Sequence, residues 1–118
     1  MHVTTFQDLL AEQQEPVVIA DRNGLIVRVT EAFAKAYAWP AGALRGRPLT
    51  TLIPGMLHDA HHLGFSRFLA SGKPSILGQD LDLEFVTGDG RTILTRHFIL
   101  TGEMDGALHF AARITPRE

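Results

Sequence analysis

The sequence predicts an α+β domain: one five-stranded antiparallel sheet, short helices packed on one face, and a cap helix at the N-terminus. Three observations predict it. The chain has 118 residues, 45% apolar and 20% charged, which suits one core and is too apolar for disorder. Two apolar runs, 17–20 and 25–29, flank the Asn23-Gly24 step, a tight-turn dipeptide that joins antiparallel strands. After a middle third of helical segments punctuated by Gly and Pro, the last third alternates apolar and polar residues with period two.

Thr4 or Thr5 can cap a helix running through Glu15, with Phe6, Leu9 and Leu10 on one stripe and Pro16 as the stop. Residues 1–15 are therefore read as an N-terminal cap helix and 16–118 as the sheet-bearing domain. Residues 17–20 (VVIA) form a buried strand, and Leu25–Val29 return beside it. Thr30 caps a helix over residues 31–38, broken by Pro40. Gly42, Gly46, Pro48 and Pro54 allow only short helical turns over 41–54. A longer helix runs from Met56 to Ala70, ended by Gly72 and Pro74.

In residues 80–86, Leu81, Leu83 and Phe85 share one face, and Asp80, Asp82 and Glu84 share the other, solvated one. The Gly88-Asp89-Gly90 turn leads into a strand over 92–101. There Ile93, His97 and Ile99 alternate with Leu94, Phe98 and Leu100, so both faces carry apolar groups. One face meets the helices; the other needs cover from the N-terminal helix or from a second subunit. A turn over Gly102–Gly106 precedes the last strand, 107–114, with Leu108, Phe110, Ala112 and Ile114 in phase.

Composition removes several function classes. Eleven basic against thirteen acidic groups give a net charge of -2, with no basic excess to hold nucleic acid or an anionic membrane. The absence of cysteine removes disulfides, thiolate metal sites, thiol nucleophiles, thioether-held chromophores and cysteine-dependent flavin photochemistry. No signal peptide and no run of 18 apolar residues is present, so a cytoplasmic domain is expected. No P-loop, G-x-S-x-G or H-E-x-x-H motif is present, and no enzyme activity is expected.

His58, His61 and His62 cluster on the longer helix. His58 and His62 share a face at i, i+4, but no carboxylate is placed to complete a metal site, so they are expected at the edge or in solvent. Leu57, His61, Gly64, Phe65 and Phe68 fall on one stripe, which turns His61 inward. An inward imidazole can ligate a haem iron, pair with a polar ligand, or hydrogen-bond within the core.

Over residues 16–117 the chain resembles the PAS (sensory box) family. The resemblance rests on the order of several short motifs: Asp21 to Gly24 between two strands, Ala32-Phe33 on the next helix, Leu44-Arg45-Gly46, and Leu49 to Pro54. It continues through the helix from His61 to Gly72, the Asp89-Gly90 hairpin and the closing Arg113-Ile114-Thr115. There are three departures: Thr30 replaces the family's usual Asn, Ala38-Trp39 its Gly-Tyr, and Arg113 its closing aspartate. Glu84, Asp82 and Glu103 are the carboxylates expected near Arg113.

The resemblance implies a PAS-like fold and a sensory domain of a larger bacterial signalling protein, of the two-component type among others. A small ligand or cofactor would sit between the sheet and the 56–70 helix, and the sheet would relay its presence to an effector domain of the same polypeptide. The residues assigned to that pocket are His61, with Arg67 at its mouth, Leu57, Phe65, Phe68, Trp39, Phe85, His97 and Ile99. Two alternatives remain. One is a ligand-free dimerisation module, a homodimer built on the Phe6, Leu9 and Leu10 stripe. The other is a haem-b gas or redox sensor with His61 as axial ligand and Arg67 near a propionate. In the haem-sensor pattern the distal arginine falls at Leu81 and an apolar distal residue at His97. A non-covalent flavin stacked on Trp39 is a further cofactor the resemblance allows.

Overall fold

The computed structural model describes residues 4–40, 42–71, 78 and 80–116, with backbone alone for residues 64, 65 and 67–71. The elements are α1 (Phe6–Ala11), β1 (Val17–Asp21), β2 (Ile26–Val29), α2 (Glu31–Ala36), two 3-10 turns (Leu49–Leu52 and Gly55–Leu57), α3 (His58–Ser71), β3 (Asp80–Val86), β4 (Thr92–Met104) and β5 (Ala107–Pro116). The five strands form one antiparallel sheet in the order β2-β1-β5-β4-β3. The predicted fold class is the observed one. The central strand, β5, is the last in sequence, so the first hairpin and the final hairpins meet only through it.

The sheet divides two cores. On the inner face Val18, Ile26, Phe33, Tyr37, Leu44, Leu52, Phe85 and Ile114 form one buried cluster, with Val29, Trp39, Leu49, Ile93 and Ala112 at its margin. Phe33, Tyr37 and Phe85 meet edge-on or tilted, with centroids 4.7–5.7 Å apart, a favourable arrangement for ring quadrupoles. On the outer face Phe6 and Leu9 of α1 cover Val17, Ile19 and Ala111. The stripe that the sequence offered to a second copy is thus buried on the chain's own sheet. Gly102 makes room for it, because a Cβ there would stand 2.3 Å from the Phe6 ring.

Several boundaries differ from the sequence reading. Helix α1 ends at Ala11, four residues before Glu15. Thr5 caps it through a reciprocal bond pair with Asp8, and the Glu12 carboxylate then accepts from the backbone N–H groups of Gln13, Gln14 and Glu15. That bend replaces the last expected turn of helix. Helix α2 stops at Ala36 because Ala38 takes the left-handed conformation, φ 58°. Strand β4 runs on to Met104, and the turn shrinks to Asp105-Gly106. The long pairing of β4 with β5, from Thr95–Pro116 to Met104–Ala107, carries both strands past their expected ends.

Thr30 binds three segments together. Its hydroxyl donates to Glu15 O at 2.8 Å and accepts from Val17 N and Phe33 N at 3.0 and 3.2 Å. It therefore caps α2 and also fixes the α1–β1 connection against the start of β1.

Candidate functional site

Strand alternation puts Ile93, Thr95, His97 and Ile99 of β4 on the inner face, beside Leu81, Leu83 and Phe85 of β3. Most of this wall is apolar, but two polar groups interrupt it. Thr95 is fully buried and His97 is 9% exposed. The Thr95 hydroxyl lies 3.0 Å from Leu83 O and 2.7 Å from His97 Nε2. The edge of the Phe85 ring stands 6.0 Å from the imidazole, at 68°. Desolvation lowers the His97 pKa to about 4, so the ring is neutral near pH 7. Main-chain pairing sets His97 between Leu81 and Ile114.

The structure brings together three of the expected pocket residues, Phe85 and His97 in ring contact on the sheet and Trp39 packed at the margin of the same inner cluster, and places Ile99 on the same face of β4 opposite Ala112. Trp39 Nε1 is buried with no hydrogen-bond acceptor among the described residues. On the helix side, Leu57 lies in the second 3-10 turn and is partly buried. His61 is partly buried near the start of α3, its ring 6.0 Å from that of His62. Burial first, then the neighbouring His62 and His58, hold His61 below the ordinary imidazole range. The side chains of Phe65, Arg67 and Phe68 lie outside the described residues.

His58 lies at the edge, as expected: it is partly buried, and its Nε2 meets Ile53 O at 2.7 Å across the turn that opens α3. One expectation about neighbours is corrected. Arg113 does not pair with Glu84, Asp82 or Glu103. Its partner is Glu15, 3.7 Å from Nε, and its guanidinium lies 5.1 Å over the Phe98 ring. Arg113 therefore meets a carboxylate from a segment distant in sequence. Asp80, Asp82 and Glu84 are exposed as expected, with Arg96 at 3.4 Å from Asp82.

Thr95 is not among the expected pocket residues, yet it is hydrogen-bonded to His97. The signal for it was present: in the inner-face series Ile93, Thr95, His97, Ile99, two adjacent polar positions break an apolar run. A second link joins this face to the central strand. Buried Tyr37, at the end of α2, donates its hydroxyl to Ile114 O at 2.5 Å. Burial raises the Tyr37 pKa, so the phenol keeps its proton and stays a donor.

Comparison with known proteins agrees with this architecture. A curated relative from Azorhizobium caulinodans, an uncharacterized protein, is 34% identical over 77 residues, 64% of this chain. The match covers 10% of that protein, so the chain spans a small part of its relative's length. Among solved structures, a PAS domain from Desulfitobacterium hafniense superposes with a TM-score of 0.74 at 17% identity, covering 92% of this chain and 97% of that one. A PAS domain of an HTR-like protein from Haloarcula marismortui gives 0.67 at 18% identity over 90% and 84%. A light-oxygen-voltage domain studied with a flavin analogue gives 0.68 at 17% identity over 89% and 78%. The family model described as the PAS fold matches residues 10–118, and the chain belongs to that family.

Proposed function

We propose that this PAS domain is a sensory module that holds a small ligand against the inner face of β3 and β4, with His97 and Thr95 as its polar anchor. The observation that carries the reading is a neutral imidazole, 9% exposed, set beside the buried Thr95 hydroxyl in a mostly apolar wall. A few placed polar groups in an apolar surface are the usual composition of a ligand site. Occupancy there would act on β4, which pairs along its length with the central strand β5. Two contacts then lead outward from β5: the Tyr37 hydroxyl on Ile114 O, and Arg113 on Glu15 at the base of the N-terminal cap. An attached effector beyond either end would read the change. A light-oxygen-voltage domain shares this fold, but the chain lacks the cysteine that such photochemistry needs.

The test is to purify the protein, denature it, and identify any released small molecule by mass spectrometry, alongside a visible spectrum. The expected result is a bound species lost in His97→Leu. A Soret band abolished by His61→Ala would replace this reading with the haem one. Repeated absence of any bound species, with a concentration-dependent dimer in sedimentation, would replace it with the interaction-module reading.

A further inference from the structure

The hydrogen bonds of Thr95 and His97 determine which proton His97 carries. A hydroxyl has one proton and two lone pairs. Thr95 Oγ1 lies 3.0 Å from the carbonyl oxygen of Leu83, a contact between two oxygens that needs the hydroxyl proton. With that proton directed at Leu83 O, Thr95 can only accept from His97 Nε2, 2.7 Å away. The reverse arrangement would leave two oxygens facing each other with no proton between them. His97 is therefore the Nε2–H tautomer, selected by the partner of that nitrogen. A neutral imidazole holds a single ring proton, so Nδ1 presents a lone pair, and no described residue donates to it. The edge of Phe85 stands beside the ring, Leu81 is paired opposite His97, and Ile99 follows on the same face of β4, apolar neighbours that suit a flat apolar body.

We infer that the inner site takes a neutral, largely apolar small molecule whose N–H or O–H group donates to His97 Nδ1. A carboxylate would set its oxygen lone pairs against that of Nδ1. An N- or O-methylated analogue would leave Nδ1 without a donor. This rests on the sensory reading above and specifies the class of ligand within it. A ligand that covers this acceptor without donating to it strips its water and binds about tenfold or more weaker.

The experiment has two parts, both on the intact domain. Long-range ¹H–¹⁵N spectra of histidine-labelled protein near neutral pH report which ring nitrogen of His97 carries the proton. The expected result is Nε2–H, with Thr95→Val mixing the tautomers; an Nδ1–H form in the parent protein overturns the inference. Matched probes then titrate the site: phenol against anisole, indole against 1-methylindole, and benzoate. The donor of each pair should bind about tenfold tighter or better and move the Nδ1 resonance. His97→Leu, a substitution an apolar wall accommodates, should reduce that preference to less than about twofold, because the acceptor is gone. Equal binding of donors and methylated partners, or tighter binding of benzoate, overturns the inference and leaves the sensory reading standing. If no probe shifts any inner-face resonance while His97 is Nε2–H, the inference is overturned, and the sensory reading is decided by the released-species experiment alone.

Discussion

Acidification should destabilise this domain through His97. The perturbation is a fall from pH 7 to pH 4.5, where ordinary Asp and Glu carboxylates are only partly protonated. In the folded state desolvation holds the His97 pKa at about 4, against an ordinary value of 6.5. Between those two values the unfolded chain binds a proton at His97 and the native chain does not. Stability then rises with pH across the window and is lost as pH falls through it. Integrated from pH 7 to pH 4.5, this one group removes about 2 kcal/mol. With a urea dependence of roughly 1–3 kcal/mol per molar, the unfolding midpoint should drop by about 1 M. Burial lowers His61 in the same direction, so the wild type alone does not isolate His97. The assay is urea unfolding followed by circular dichroism at half-unit pH steps, for wild type and His97→Leu. The variant should lose most of the slope that His97 supplies and keep the remainder. If both proteins show the same slope between pH 7 and 4.5, the buried neutral imidazole is not as described and the reasoning fails.

Ala38→Gly should stabilise the protein by about 0.5–1 kcal/mol, read as a higher Tm, because Ala38 holds φ 58° and glycine relieves the left-handed cost by more than it adds in chain entropy. Gly88→Ala should do the opposite and lower Tm clearly, since a Cβ there would lie 2.1 Å from Ala38 O, a backbone atom. Leu9→Ala should cost about 2–4 kcal/mol in chemical denaturation, and deleting residues 1–14 should expose the outer face and promote association in sedimentation. Glu15→Gln should cost less than about 1 kcal/mol, with the loss shrinking at high salt, because both partners of the Arg113 pair are partly solvated.

The elements of the fold were legible because each has a local cause. Period-two alternation set β3, β4 and β5, the Asn23-Gly24 step set the first hairpin, and Thr5 and Thr30 both cap the helices assigned to them. The inward face of β4 followed from the same alternation, so His97 could be named without coordinates. What the tertiary structure decided was pairing between segments far apart in sequence. Sheet order and register together bring Glu15 to Arg113: β1 lies against β5, β3 with Glu84 and Asp82 lies beyond β4, and on β4 it is Phe98 that stands opposite Arg113 while Glu103 stands opposite Leu108. Only the docking of α1 shows that Phe6 and Leu9 cover this chain's own outer face; an amphipathic stripe specifies that it must be buried, not against what. The tautomer of His97 belongs to the same class. It depends on a carbonyl of β3, Leu83 O, that is twelve residues away in sequence and adjacent only across the ladder. Backbone acceptors carry no residue identity, so a site tuned by one can be read only after the strands have paired.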